Sequence, residues 1–506
     1  MATAHIVELE GRREWENYHR TGTSHLKKRY GLRSGDGGRG RDDIAQAASE
    51  VQKWLLAAKE EGVPVRPVGG AWSLSNIQLV QNGWMLNTRR FNRCFRLAGH
   101  DFARPGSVDP GAFMLIEGGV QVDEVNDKLQ EIERSLVTTG ASNGQTFPGA
   151  CATGTHGSVL TAGGIQQHVR AVQIVTPGGI YWIEPSAGLM SDDFIRETGS
   201  APVRDDDAFA AALVAVGSLG IVTAMVIESV PRYLVRPWLK LIDFARDDVE
   251  TLERGDFRAF SEKHGLKGHD PYFVMVITTP YRPWGGKAVA RILYQFPYHS
   301  RYEHVEPGKL GAGYDAQSMM AWALRQFPWA RGQILQLIMR LGVGKGITEE
   351  RYGTWGETLE SSRPTADSFS AALFCDRARL VHTLEALCTA FSRAGGSTAV
   401  TLRFVKGGYG LLSPARWENS VAIDCDGPGG EGTLRAYRKM LDALERQGIE
   451  HTLHWGKINN LTPARVAANY GDDLSRWRAV RDRLLPDPAD RRLFATEELR
   501  AFGLAD

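Results

Sequence analysis

The chain has 506 residues, 42% of them hydrophobic and 24% charged, with 56 glycines against 22 prolines. That balance excludes a disordered or collagen-like polypeptide and leaves length for two to four domains at roughly 150 residues each. Sixty Lys and Arg against 59 Asp and Glu give a formal charge of +1, which argues against a protein whose main work is gripping nucleic acid or an anionic membrane. Five unclustered cysteines (Cys94, Cys151, Cys375, Cys388 and Cys425) fit a reducing compartment better than a disulfide framework. The start lacks a secretory signal and no apolar run approaches the ~20 residues of a bilayer span, so the expectation is a cytoplasmic enzyme without a transmembrane segment.

Residues 1–41 read as a solvated arm, because Lys27, Lys28, Arg29, Arg33, Arg39 and Arg41 sit among glycines without an apolar period. Asp42 and Asp43 then cap a predicted helix with Ile44, Ala47, Val51, Trp54 and Ala58 on one face, stopped by Gly62. A short extended segment over 63–68 runs into a glycine-rich turn. Strands are predicted at 84–87 and 113–117, and a helix follows with Val122, Val125, Leu129 and Ile132 aligned. Residues 169–176 and 180–184 flank a Pro-Gly-Gly turn as a hairpin. A helix over 207–216, a turn over 217–220 and an apolar strand over 221–230 close a first domain at about 235.

From 236 to about 430 aromatic residues become dense, among them Trp238, Tyr272, Tyr294, Trp322, Phe327 and Trp329, as in a second domain. Leu434, Tyr437, Leu441 and Leu444 lie on a helix stopped by Gly448, and a last helix carries Leu474, Trp477 and Val480. The division is an arm (1–41), a first domain (42–235), a cap (236–430) and a C-terminal segment (431–506).

Common nucleotide and metal signatures are absent. Gly342 to Gly346 has the wrong spacing for a dinucleotide fingerprint or a P-loop, and no nucleophile elbow occurs. His451 and His454 have only Glu450 beside them, which is too few ligands for zinc, so no metal is expected.

Two glycine-rich loops stand out, 66–75 (RPVGGAWSLS) and 146–158 (TFPGACATGTHGS). Small residues there leave successive backbone N–H groups bare, and Ser73, Thr153 and Thr155 add hydroxyl donors, so both loops suit a diphosphate. These loops, then 217–223 (GSLGIVT) and 454–457 (HWGK), in this order, resemble the FAD-linked oxidase superfamily typified by vanillyl-alcohol oxidase, and most strongly its aldonolactone and alditol oxidase branch. The likeness covers residues ~40–235 well and ~400–506 moderately.

The resemblance implies an α+β fold: a two-subdomain FAD-binding domain of the p-cresol methylhydroxylase (PCMH) type and a mixed α/β cap with an antiparallel sheet. It implies that Val68, Gly69, Gly70, Ala71, Trp72 and Ser73, with Gly149, Thr153, Gly154, Thr155, His156 and Gly157, clasp FAD, while Ile221 and Val222 meet its adenine half. Thr146 and His454 would face flavin and substrate. Arg403, Lys457, His454 and Asp424 are the implied catalytic groups, and Thr401, Asp424 and Asp426 join Thr146, Arg403 and Lys457 around the substrate. Oxidation of a CH–OH group moves a hydride to flavin N5 and a proton to a base, for which His454, Asp424 or Lys457 in neutral form are the candidates. A cation near the flavin stabilises the charge that develops there, a role for Lys457 or Arg403.

The departures are informative. Many relatives attach flavin through a histidine of the first loop; here that residue is Trp72, so FAD is expected to be non-covalent, with a thioether through Cys151 as the minor alternative. The alditol oxidase pattern places glutamate at position 401 and histidine and threonine at 424 and 426; here they are Thr401, Asp424 and Asp426. Thr88 and Arg89 fall near the position that tunes oxygen access, where Arg89 would be an obstruction. The substrate reading is a sugar, alditol or aldonolactone, with O2 or another electron acceptor. The alternatives are a larger aromatic or natural-product-like alcohol under an aromatic cap, or a flavin fold that only binds.

Overall fold

The computed structural model describes the chain except residues 1–2, 37–39, 267, 306–323, 325, 344–345, 359–367 and 506. Arg39, Trp322, Gly344 and Lys345 of the sequence reading lie outside the described residues.

The apolar stripe 44–58 winds as a helix over Gly40–Glu61, with Ile44, Ala47, Val51, Leu55 and Ala58 fully buried. It ends at Gly62, whose φ of +65° only glycine adopts without strain. Asp42 and Asp43 stand in its first turn rather than before it, and buried Asp43 pairs with Arg93. The helix packs against two sheets. One has the strand order His5–Glu8, Lys28–Arg33, Trp84–Arg90, Val65–Val68. The other runs Ala201–Arg204, Gly179–Glu184, Val169–Thr176, Ile221–Glu228, Phe113–Glu117, Cys94–Arg96. The predicted hairpin forms in register, with Thr176 opposite Gly179 and Val172 opposite Ile183.

The arm reading is corrected by these sheets. Lys28–Arg33 pairs in parallel with Trp84–Arg90, and Tyr30 and Leu32 are buried in the same core as Trp54 and Trp84. The charged side chains Lys28, Arg29 and Arg33 stay half-buried, and Lys28 lies over the Trp84 ring at 4.9 Å. Between its strands the arm latches onto the first glycine-rich loop. The Tyr18 N–H donates to the Ala71 carbonyl (3.0 Å), Asn17 Nδ2 to that of Ser73 (2.9 Å) and Thr21 Oγ1 to that of Leu74 (2.9 Å).

An eight-stranded sheet forms the cap, antiparallel at every pairing. Its order is Gly353–Thr354, Tyr233–Phe244, Gly286–Pro297, Phe273–Thr278, Ala399–Lys406, Asn419–Pro428, Ser368–Asp376, Thr452–Leu453. The last strand lies beyond position 430, so the C-terminal segment is woven into the cap sheet. Helices Leu380–Arg393 and Glu431–Arg446 bury Leu384, Leu387, Met440 and Leu441 together with the sheet residues Leu373, Leu402 and Ile423.

Candidate active site

A cleft of about 920 Å3 runs between the first domain and the cap. Its wall follows the chain at Arg66–Leu74, Thr146–His156, Val216–Val222 and His454–Lys457, regions far apart in sequence. Backbone hydrogen bonds bring them together: the Leu74 N–H donates to the Gly456 carbonyl (2.8 Å) and Ser75 Oγ to the Trp455 carbonyl (2.7 Å). Trp455 is itself fully buried, its Nε1 donating to the Leu412 carbonyl (2.8 Å) and its ring stacked on Tyr470. Gly456 passes so close to the second loop that a Cβ would lie 3.1 Å from Thr153 Oγ1.

The first loop is a true turn, with Ala71 in the left-handed region (φ +60°). A Cβ on Gly69 would overlap Thr146, and one on Gly70 the Gly144 carbonyl. Trp72 stacks on Tyr18 (centroids 4.8 Å, 9° between planes). The second loop is only partly a loop: Phe147–Ala152 forms a short helix with Pro148 in its first turn. Fully buried Cys151 points away from the cleft into the core, and burial holds its thiol well above the usual range.

The expected cofactor residues divide cleanly. Val68, Gly69, Gly70, Ala71, Trp72, Ser73, Thr146, Gly149, Thr153, Thr155, His156, Val222 and His454 all line the cleft. Gly154, Gly157 and Ile221 do not; they stand behind the wall as turn and core residues. Among those the sequence reading missed, Arg66 stands out. Its guanidinium is buried beside the cleft, donating to the carbonyls of Gly217 (2.8 Å) and Val216 (3.1 Å). No carboxylate among the described residues pairs with it, and burial lowers its pKa to about 10. A buried cation held only by carbonyl oxygens is stabilised by an anion beside it. With bare backbone at Gly69 and Gly70 beside it, the cleft has the donors and the charge that suit a dinucleotide diphosphate.

At the opposite end, three charged groups interlock. Asp424 is fully buried, with Oδ2 2.8 Å from Arg403 Nε and Oδ1 2.8 Å from Lys457 Nζ. Burial pushes its carboxyl up, but Lys457, then Arg403, pull it down further and hold it well below the usual carboxylate range. Arg403 and Lys457 line the cleft and Asp424 does not. The expectation that Asp424 touches substrate is therefore corrected: it sits behind the cations and fixes them. Thr401 likewise lies off the lining, directly opposite Asp424 in the strand register. At this pair of positions the carboxylate stands at 424 and the hydroxyl at 401. Asp426 does line the cleft, accepting from Ser370 Oγ (2.5 Å) and lying 3.9 Å from Lys457 Nζ.

Two neutral imidazoles complete this end, His156 and His454, with centroids 5.8 Å apart. Burial above all lowers both, His156 to about 4 and His454 well below its usual value. Their partners set opposite tautomers. The Gly456 N–H donates to His454 Nδ1 (3.0 Å), so the His454 proton is on Nε2. His156 Nδ1 donates to the Gly157 carbonyl (3.1 Å), so its Nε2 carries the lone pair. Thr88 lines the cleft, whereas Arg89 turns away to Gly119, Gln121 and Glu124, so it does not obstruct the site. Leu324, Leu335, Ile338 and Phe369 give the cap side an apolar wall.

Several known proteins resemble this chain in sequence or fold. Residues 44–183 match the family described as "FAD binding domain". An L-gulono-1,4-lactone dehydrogenase of Mycobacterium tuberculosis is 22% identical over 450 residues, 87% of this chain and 91% of that protein. A D-arabinono-1,4-lactone oxidase of Debaryomyces hansenii is 24% identical over 204 residues, covering 39% and 33%. Among solved structures, cholesterol oxidase from B. sterolicum superimposes over 99% of this chain and 97% of its own at TM-score 0.70 and 14% identity. The 6-hydroxy-D-nicotine oxidase of Arthrobacter nicotinovorans covers 98% of each chain at TM-score 0.58 and 14% identity.

Proposed function

We propose a function on one premise: the chain belongs to the FAD-linked oxidase superfamily and is an FAD-dependent oxidoreductase. It oxidises a CH–OH group of an aldonolactone, alditol or sugar. The observation that carries this reading is the Arg403–Asp424–Lys457 cluster, 2.8 Å at each link, at the end of a glycine-lined cleft. FAD, when bound, supplies the hydride acceptor. Arg66 and the backbone of 69–73 would hold its diphosphate, and Val222 would lie along its adenine half. Trp72 is stacked on Tyr18 and Cys151 is buried as a protonated thiol, which supports a cofactor held without a covalent link.

Around the reacting carbon the chain's own groups divide the work. Arg403 and Lys457, locked by Asp424, present N–H donors to substrate oxygens, and the cluster keeps one net positive charge against the negative charge that develops. Asp426 accepts from a substrate hydroxyl. As the hydride leaves carbon, the hydroxyl proton must go to a lone pair facing the cleft. His454 has committed its own to Gly456, Asp424 lies off the cleft lining, and Lys457 is a donor to Asp424. Of the two acceptors that remain at the cleft, His156 Nε2 and Asp426, we assign the proton to His156 Nε2, because Asp426 already accepts from Ser370 Oγ and lies beside Lys457.

The apolar wall of Leu335, Ile338 and Phe369 favours a second reading, an alcohol with a larger apolar portion held under the cap. Anaerobic bleaching of the purified yellow protein tests both. Reduction by aldonolactones or alditols supports the first, and reduction only by larger apolar alcohols supports the second. Protein that takes up no FAD overturns both.

A further inference from the structure

One buried histidine lies where exposure is the rule. The strands Glu14–Glu16 and Thr23–His25 pair as an antiparallel hairpin. Its tip carries Tyr18 (44% exposed) and the exposed Arg20 on either side of His19, which is 2% exposed. Loop tips are ordinarily solvated, yet His19 lines the cleft. Its ring meets those of Tyr18 (centroids 5.3 Å, 85° between planes) and Trp72 (6.2 Å, 79°) edge-on.

The tip is built to hold that side chain in place. Asn17 Oδ1 accepts from the Thr21 N–H (2.8 Å) and Asn17 Nδ2 donates to Thr21 Oγ1 (2.6 Å), which closes the turn. Arg20 stands in the left-handed region (φ +54°), an uncommon conformation for arginine that the closed turn sustains. Three further bonds tie the tip to the first glycine-rich loop, at the carbonyls of Ala71, Ser73 and Leu74. The Leu74 N–H in turn donates to the Gly456 carbonyl, between His454 and Lys457 in the chain. The tip therefore lies toward the cleft end that holds His454 and Lys457, and away from the end where Arg66 meets Val216 and Gly217.

We infer that His19 is a cofactor-binding residue, and that the hairpin tip is a strap holding the flavin portion of the cofactor rather than its adenosine diphosphate. The assignment holds only if FAD is the cofactor, as proposed above. The test is calorimetric titration of the full-length apoprotein with FAD, riboflavin and ADP. His19→Ala should weaken FAD and riboflavin by the same factor, about tenfold or more, and leave ADP at wild-type affinity. Tyr18→Ala, which removes an exposed ring from the Trp72 stack, should speed FAD release about threefold. A third arm needs no variant: in the wild type, FAD and riboflavin but not ADP should slow trypsin cleavage after the exposed Arg20, so a His19 variant that fails to fold leaves the question decidable. Unchanged FAD affinity in His19→Ala, a loss for ADP as large as that for FAD, or equal cleavage with and without FAD overturns the inference while the oxidoreductase reading stands. A wild type that binds neither FAD nor riboflavin overturns both.

Discussion

Replacing Asp424 with asparagine removes one charge and keeps the shape. In the wild type, the carboxylate is fully buried and makes two contacts of 2.8 Å, while its partners Arg403 and Lys457 retain 13% and 19% side-chain exposure at the cleft. Breaking a buried ion pair by removing one partner costs about 3–5 kcal/mol. Because both cations keep some hydration, the low end applies, about 3 kcal/mol at pH 7. The pH dependence follows from sign. The folded-state carboxyl lies below its usual range, so its contribution is complete above about pH 5 and is lost as pH falls further. Asparagine does not titrate, so the stability gap between wild type and variant should narrow between about pH 5 and pH 2. Urea unfolding at several pH values measures the gap, and stopped-flow flavin reduction measures the second effect, a rate at least about tenfold lower because Lys457 is no longer aimed. A variant within about 1 kcal/mol of wild type, reduced at the same rate, would refute the view that Asp424 anchors the two cations.

Other expectations concern single groups. Lys457→Ala should leave FAD bound and cut the rate of flavin reduction at least about a hundredfold, by anaerobic stopped flow. His156→Gln should lower the same rate by about 10²-fold, with FAD affinity near wild type; an unchanged rate moves the proton acceptor elsewhere. Arg66→Gln should weaken FAD binding at least tenfold, about 1.4 kcal/mol by fluorescence titration, and riboflavin, which has no phosphate, should be indifferent to it. Acid precipitation should leave a colourless pellet and a yellow supernatant, whereas retained colour would contradict dissociable FAD.

What was legible in the sequence follows from the range over which each signal acts. The helix over Gly40–Glu61 and the strand Phe113–Glu117 declare themselves through local apolar periodicity, and the glycine turns through residues that few other structures need. Lys28–Arg33 gave no such signal. Its parallel partner is more than fifty residues away, and its charged side chains hide the buried Tyr30 and Leu32. Arg66 was invisible for a related reason, since a lone arginine between Val65 and Pro67 is remarkable only once its burial without an acid is known. Asp424 was found, but its place behind the cleft wall was not. Linear spacing places it near Arg403, but only the antiparallel register sets it opposite Thr401 and behind the cations. The short helix inside the second loop arises because Pro148 and the alanines around it favour a first turn that a glycine count alone does not reveal.

The bonds from Leu74 to Gly456 and from Ser75 to Trp455 span some 380 positions. A ribosome therefore releases most of the polypeptide before the nucleotide has a finished seat. An excised 44–183 fragment would contain the recognised sequence signature and still lack the far rim that closes over it. Loading with flavin then becomes a late event in biogenesis, and a frameshift near position 450 would yield a pale protein even with every glycine of the two turns intact.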